Sequence, residues 1–411
     1  MTPYLQQRSL YPPQISAPPA DNLALVVAIP AYDEPDLLES LRCLYECALP
    51  EGGAVEVIVV VNEPEEATEA VAARNRALSE QARKWAATHR RPGLQFFILH
   101  HALPSRHAGV GLARKIAMDE ACRRLEQAGC SEGVIASFDA DSRCDPNYFQ
   151  AVARHFREYP GCPAAAIYFE HPLQGTGHPL EVYEAILSYE LHLRYYVQAQ
   201  RWAGFPHAFH TVGSSMAVRC SAYQQQGGMN KRKAGEDFYF IHKFTPLTGF
   251  ANLSTTRVIP SPRPSHRVPF GTGRAVQEIM KGEGRHYRTY PPSSFIELKA
   301  FLGQLPAIYH NEAQWEASPV LEEFLRRQGL EQKLSEMKRH SASYSTFCSR
   351  FFRWFNAFLV MKYLHFARSR GRADVPVAEA AKWLLEERGQ LPEQRDVPGL
   401  LARYRAIDRW G

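Results

Sequence analysis

Apolar residues concentrate in four short runs in the first third of the chain, Leu23–Ile29, Val55–Val61, Leu94–Leu99 and Gly133–Phe138. The text between them is different, with apolar positions recurring every three or four residues over Asp36–Cys47, Glu65–Thr88 and Ala108–Leu125. Near-continuous apolar runs mark strands buried on both faces, and helical spacing between them marks crossover helices. A helix from about Pro146, a strand over Ala164–Phe169, a helix over about Pro179–Trp202 and a strand within His210–Arg219 continue the alternation. From about Ser294 onward the spacing is helical only. The expected class is α/β, a mostly parallel twisted sheet flanked by helices, followed by an α-helical C-terminal region. Residues 1–22 carry five prolines and little apolar periodicity, which predicts an extended or disordered arm. The expected organisation is therefore an arm over 1–22, one α/β domain over 23–290 and a helical region over 291–411.

Composition narrows the partners. A chain of 411 residues that is 45% hydrophobic can bury a full core. The net charge of +5 is too small and too evenly spread for a nucleic-acid partner. None of the eight cysteines forms a Cys-x-x-Cys pair, and the N-terminus lacks the apolar core of a signal peptide, so the cysteines read as reduced thiols of a cytoplasmic protein. Cys43 and Cys47 share a helix face and read as small core residues. The aromatic stretch Phe351–Leu364 is cut by Arg353, Asn356 and Lys362, too short and too polar to span a bilayer. It is expected to be a buried helix; the alternative is a helix lying on the inner face of the membrane, beside a lipid-linked acceptor.

The strongest chemical signal is Ser137-Phe138-Asp139-Ala140-Asp141, two carboxylates just past the end of an apolar run. In a doubly wound sheet that is the ligand-binding edge, and two hard oxygen donors there suit Mn²⁺ or Mg²⁺ facing a diphosphate. An Asx-type turn that merely ends the strand is the competing reading. The turn after the first strand, Ile29-Pro30-Ala31-Tyr32-Asp33-Glu34-Pro35, offers a flat ring on which a base can stack, and it has no glycine-rich loop. That composition argues against a dinucleotide fingerprint, a Walker-type cradle and a sugar-nucleotide pyrophosphorylase.

Together these segments resemble the family 2 glycosyltransferases of the GT-A fold. Pro30-Ala31-Tyr32-Asp33-Glu34 resembles the family's Pro-x-Tyr/Phe-Asn-Glu opening, Gly109–Lys115 its Gly-x-Ala-Arg-Asn segment, and Phe138–Asp141 its metal-binding Asp-X-Asp. His210–Arg219, Gly227-Gly228-Met229 and Gly235-Glu236-Asp237 resemble the series that ends at the family's catalytic base. The resemblance implies a soluble, non-processive enzyme that moves one sugar, with inversion, from a nucleotide-diphosphate sugar to a hydroxyl acceptor. A uridine nucleotide is the expected carrier, and the acceptor, whether carbohydrate, lipid-linked or protein, is left open. It implies Asp237 as general base with Glu236 orienting it, and Pro30, Tyr32, Glu34, Asn62, Arg114, Asp139 and Arg267 around the nucleotide sugar. Asp139, Asp141 and His266 would hold the Mn²⁺ or Mg²⁺. At a helix start, Asp237 is expected to stay ionised.

Two departures matter. The family's Asp-Asp or Asp-Gly pair is replaced by Asn62-Glu63, whose amide can still pair with a pyrimidine edge. The Gln-x-x-Arg-Trp motif of processive, membrane-embedded synthases is read as absent, the text after the last sheet strand being Pro264–Gly273, which favours single addition. Lys231-Arg232-Lys233 reads as a mobile basic loop, and His100, His101 and His107 as loop residues. The rival reading is a catalytically silent nucleotide-sugar-binding or scaffold protein of polysaccharide assembly, against which the intact Asp139, Asp141 and Asp237 count.

Overall fold

The computed structural model describes residues 2–265, 271–282, 287–312 and 314–411. The apolar runs become strands: β1 (Leu23–Ala31), β2 (Ala54–Pro64), β3 (Leu94–Leu103), β4 (Val134–Ser137), β5 (Arg143–Cys144), β6 (Ala164–Phe169), β7 (Met216–Arg219) and β8 (Ala251–Ile259). They form one sheet in the order β3-β2-β1-β4-β7-β6-β8-β5. β1, β2, β3 and β4 run parallel, as do β6 and β8, whereas β7 is antiparallel to both β4 and β6 and β5 to β8. The short strand at the end of the 210–219 segment therefore runs against its neighbours, and β8 adds a strand that its half-exposed pattern hid.

The helices between and after the strands are α1 (Pro3–Gln7), α2 (Leu37–Glu46), α3 (Glu69–Thr88), α4 (Val110–Gln127), α5 (Tyr148–Glu158), α6 (Leu180–Trp202), α7 (Cys220–Gln225), α8 (Glu236–Ile241) and α9 (Thr272–Lys281). The C-terminal series is α10 (Pro292–Leu302), α11 (Leu305–His310), α12 (Pro319–Arg327), α13 (Leu330–Arg339), α14 (Tyr344–Trp354), α15 (Ala357–Ser369), α16 (Val377–Glu387) and α17 (Val397–Trp410). It is interrupted by β10 (Val375–Pro376), which pairs with β9 (Arg288–Thr289). The chain divides into two compact units, Met1–His178 with Thr211–Ala275 and Pro179–His210 with Val276–Gly411. This differs from a simple boundary near 290, because α6 packs on α10, α16 and α17 and so belongs to the helical unit.

The expected arm is not loose. α4 carries buried charge along most of its length, including Lys115, Asp119, Glu120, Arg123 and Arg124. Buried polar groups need partners, and the arm supplies many of them. Tyr4 Oη donates to Asp119 Oδ1 at 2.7 Å, and the backbone N–H groups of Gln14 and Ile15 both donate to Glu120 Oε1 at 3.1 Å. Arg123 donates to Tyr11 O at 2.8 Å, and Arg124 to Ala17 O at 2.9 Å and to Glu56 on β2. Low periodicity in residues 1–22 thus reflects a strap held mainly by backbone and charge.

In the helical unit, the aromatic stretch is two helices, because a helix cap interrupts it: the Asn356 side chain accepts from Leu359 N at 3.1 Å and starts α15. Phe351, Phe355, Val360, Tyr363 and Leu364 are buried, and Phe355 sits against Phe301 with ring centroids 6.3 Å apart. Among the described residues, no helix is long and apolar enough to cross a membrane.

Replacing Phe355 by Ala should lower stability by about 2–5 kcal/mol through cavity formation, measured by urea denaturation. An unchanged unfolding midpoint together with weakened liposome binding would instead favour the interfacial helix.

Candidate active site

The Asp-X-Asp segment lies where the strand pattern placed it, immediately past β4. Phe138 N donates to Ala28 O at 3.1 Å, prolonging the β1–β4 pairing, and Ser142 N donates to Asp139 O at 3.0 Å, closing a turn over Asp139–Ser142. Ser40 Oγ of α2 lies within hydrogen-bond reach of the Ala140 and Ser142 carbonyls, at 2.9 and 2.8 Å. The turn is therefore tied to the first crossover helix from behind while its two carboxylates stay partly open, 36% and 23% exposed at Asp139 and Asp141.

Arg114, on α4, is 1% exposed and joins this turn to the distant Glu236-Asp237 segment. One guanidinium nitrogen donates to Asp139 Oδ1 at 2.5 Å and another to Glu236 Oε1. Burial opposes its charge, but Glu236 and Asp139 outweigh that effect and raise its pKa. Glu236, also buried, moves upward chiefly because burial disfavours its anion, with Arg114 pulling the other way. Its neighbour Asp237 is half-buried, and its carboxylate accepts from Phe238 N at 2.7 Å. Desolvation, reinforced by the Glu236 charge, raises the Asp237 pKa to about 7. The expected fully ionised acid at a helix start is thus replaced by one poised near neutrality.

A second guanidinium, which sequence reading missed, organises carboxylates of the first turn and of the Asp-X-Asp turn. Arg263, in the segment after β8, reaches buried Glu34 at 2.6 Å, Asp36 at 3.2 Å and Asp141 at 3.6 Å. Burial works against its charge, while the Glu34 hydrogen bond and charge, then Asp141 and Asp36, carry its pKa above the ordinary value. Only the Pro-rich character of Pro260-Ser261-Pro262-Arg263-Pro264 set it apart in the sequence. His266 and Arg267, three and four residues on, lie outside the described residues, and among the described residues no three His, Cys, Asp or Glu side chains gather as a metal site.

Of the residues expected around a nucleotide, Pro30, Tyr32 and Asn62 lie at the carboxyl edge of β1 and β2. Pro30 is opposite Val60, and buried Asn62 pairs in register with His101. Tyr32 and Asp33 follow β1 directly, and Asp33 has a left-handed backbone, φ 48°, a conformation disfavoured for a residue with a Cβ. It is held by Asn75 Oδ1, which accepts from Asp33 N at 2.9 Å, and by the Arg74 fork on its carboxylate at 2.7 Å. Asn75 in turn donates to Glu63 Oε2 at 3.0 Å, so the β1 and β2 ends are fixed as a pair.

Other expectations change. His100 and His101 are strand residues of β3, not loop residues, and His100 lies 3.5 Å from Glu63. The Lys231–Lys233 loop is seated: Lys233 Nζ donates to Ser105 O at 2.8 Å and Arg232 stacks on Tyr239, 3.7 Å from the ring centre. A Cβ on Gly111 would come within 2.2 Å of Arg232 O, so glycine is required where the loop meets α4. A Cβ on Gly213 would lie 3.0 Å from the Arg114 guanidinium, which gives that motif glycine its role. The Gln-x-x-Arg-Trp spacing does occur, at Gln198-Ala199-Gln200-Arg201-Trp202 on α6, ahead of Glu236 in the chain. Its residues serve the helical unit: Gln198 donates to Asp408 at 2.5 Å, Arg201 to Ala208 O at 2.9 Å, and Lys299 lies 3.8 Å over the Trp202 ring.

No protein-family model and no curated protein sequence matches this chain. Among solved structures it is similar to residues 1–349 of TarS from S. aureus in complex with UDP-GlcNAc, at 14% identity over 94% of this chain and 91% of that one, TM-score 0.41. The same protein in complex with UDP matches at 14% identity over 95% and 92%, TM-score 0.40. The mannosyltransferase PcManGT from Pyrobaculum calidifontis, in complex with GDP-Man and Mn²⁺, matches at 15% identity over 99% and 92%, TM-score 0.35.

Replacing Arg114 by Met leaves Glu236 buried without its cation and should cost about 3–5 kcal/mol in chemical denaturation. The deficit should narrow in acid, where Glu236, whose pKa burial already raises, takes up a proton and needs no partner; a deficit independent of pH would mean that packing, not charge, is what Arg114 contributes.

Proposed function

We propose that this protein is an inverting glycosyltransferase that moves one sugar from a nucleotide-diphosphate donor to a hydroxyl acceptor. The observation that carries the reading is the Arg114 bridge, which holds a carboxylate of the Asp-X-Asp turn and Glu236 on one buried guanidinium, with the Asp237 carboxyl next in the chain. Two functions of a sugar-transfer site, leaving-group neutralisation and proton removal, are thereby set beside each other.

In this reading the nucleotide lies against Pro30 and Tyr32, with the Asn62 amide on the base edge and a uracil as the expected base. Glu34 and Arg263 shape the wall beside the turn. Asp139 and Asp141 are hard oxygen donors on an open turn, which fits Mn²⁺ or Mg²⁺, and His266 is the proposed third ligand. A bound divalent ion would neutralise charge on the diphosphate. Arg114 adds positive charge beside the turn, and Arg267 is proposed to supplement it. Asp237 accepts the proton of the acceptor hydroxyl as its oxygen bonds to the anomeric carbon and the bond to the diphosphate breaks; a single displacement inverts the centre. A carboxylate whose pKa lies near 7 is ionised often enough and basic enough for that step. Glu236, held by Arg114, fixes the position of Asp237 and raises its basicity by charge.

Binding is tested first by thermal shift with UDP-, GDP- and TDP-sugars, with and without Mn²⁺. Asp141→Ala should abolish the Mn²⁺-dependent part of the shift while the protein stays folded; an undiminished Mn²⁺-dependent shift would remove Asp141 from the metal.

Asp237→Asn should lower transfer or donor hydrolysis by about 10²–10⁴-fold with donor affinity nearly unchanged. In the unmodified protein the rate should rise with pH about a midpoint near 7, because the base works only when deprotonated. A rate that is flat across that range, or normal turnover in Asp237→Asn, would assign the base elsewhere.

A further inference from the structure

Three cysteines meet behind the Asp139–Ser142 turn. Cys43 and Cys47 lie on and just after α2, one turn of helix apart, and Cys144 is on β5. The Cys144 sulfur is 3.8 Å from that of Cys43 and 3.5 Å from that of Cys47, and Cys144 N donates to Cys43 Sγ at 3.3 Å. Cys47 and Cys144 are buried, whereas Cys43 is partly exposed. Cys43 therefore faces solvent on one side and a second thiol on the other.

Hydrogen bonding from Cys144 outweighs burial and lowers the Cys43 pKa to about 7, with Arg143 assisting and Glu46 opposing. Cys144 moves the other way, kept protonated chiefly by its hydrogen bonds to Cys43 and Cys47. A second thiol pair offers a contrast within the same molecule. Cys122 and Cys220 have sulfurs 3.2 Å apart, closer still, but both are buried and Cys122 is pushed far up by its bond to Cys220 and by burial. Proximity is common to both pairs; only the Cys43 pair joins it to access and a thiolate.

We propose that Cys43 and Cys144 form a peroxide-reactive dithiol, with Cys43 the attacking sulfur and Cys144 the resolving one. The Cys43 thiolate attacks one oxygen of hydrogen peroxide; the O–O bond breaks, leaving Cys43 sulfenic acid and a hydroxide that takes a proton to become water. The Cys144 sulfur, giving up its proton, then attacks the Cys43 sulfur and displaces the sulfenic oxygen as a second water. Two thiols lose two electrons to one peroxide, and one disulfide forms. The sulfurs must close to about 2.05 Å, which draws β5 and α2 together directly behind the turn that bears Asp141. None of this chemistry depends on sugar transfer.

The test uses the whole folded protein. At pH 7, Cys43 should alkylate with iodoacetamide about tenfold faster than an unstructured cysteine peptide, since an ordinary thiol is only a few per cent ionised there. After brief hydrogen peroxide treatment, alkylation and digestion without reductant, mass mapping should find a Cys43–Cys144 linked peptide that dithiothreitol dissolves, with Cys122 and Cys220 still thiols. Cys144→Ser should leave a Cys43 sulfenic acid that dimedone captures, and Cys43→Ser should protect Cys144. A Cys47–Cys144 or Cys122–Cys220 link formed first, Cys43 driven to sulfinic acid without a link, or Cys144 oxidised equally fast in Cys43→Ser would overturn the proposal. The unsubstituted protein alone decides the first three outcomes, so a variant that misfolds does not weaken the test.

Discussion

A single buried cation sets the terms for the centre of the larger unit. Arg114 cannot be removed from water without anions beside it, and the anions it finds, Asp139 and Glu236, belong to segments far apart in the chain. Satisfying the guanidinium therefore fixes the Asp-X-Asp turn relative to the Glu236-Asp237 segment. The glycine at 213 adjoins the same group: a Cβ there would lie 3.0 Å from the guanidinium and crowd it. Asp237, beside Glu236 in the chain, owes its raised pKa first to burial and then to the Glu236 charge, with Arg114 pulling the other way.

Arg263 does for the opposite side what Arg114 does for the centre. It links the end of the first turn, through Glu34 and Asp36, to Asp141. The two arginines place acidic residues of different motifs along one edge of the sheet, each arginine's burial cost offset by ion pairs it makes there. Both also show why acidic motifs read alone mislead: the cation that makes each arrangement stable comes from a segment with no motif of its own or from a helix interior.

Strand positions were legible because parallel strands buried on both faces leave near-continuous apolar text; β1 and β2 are buried almost throughout. The same argument explains the omissions. β8 alternates between buried and half-exposed positions and carries Asn, Ser, Thr and Arg, so it had no such run. The strap over residues 3–17 is bound by backbone N–H and C=O groups to α4, and backbone groups leave no trace in composition. The motif residues Asp139, Glu236 and Asp237 were legible from their order along the chain, whereas Arg263 was not, since an arginine among prolines announces no particular partner. α6 looked like part of the α/β alternation because periodicity records that a helix is amphipathic and says nothing of which unit its apolar face meets.

The larger unit is discontinuous: the chain leaves it after His178 and returns at Thr211. β4 lies between β1, which precedes that excursion, and β7, which follows it, so the sheet's middle is an exposed edge until the return strand arrives. During synthesis a ribosome would therefore hold an N-terminal half with four parallel strands in place, α4 carrying Arg114, and no Glu236 for it to bind. Burial of that arginine, and with it the geometry of the whole edge, must wait for roughly sixty further residues to emerge, beginning with all of α6. The nascent chain would pass through a stage in which the most apolar elements are already made and their closing charge is not, the interval in which a chaperone has something to hold.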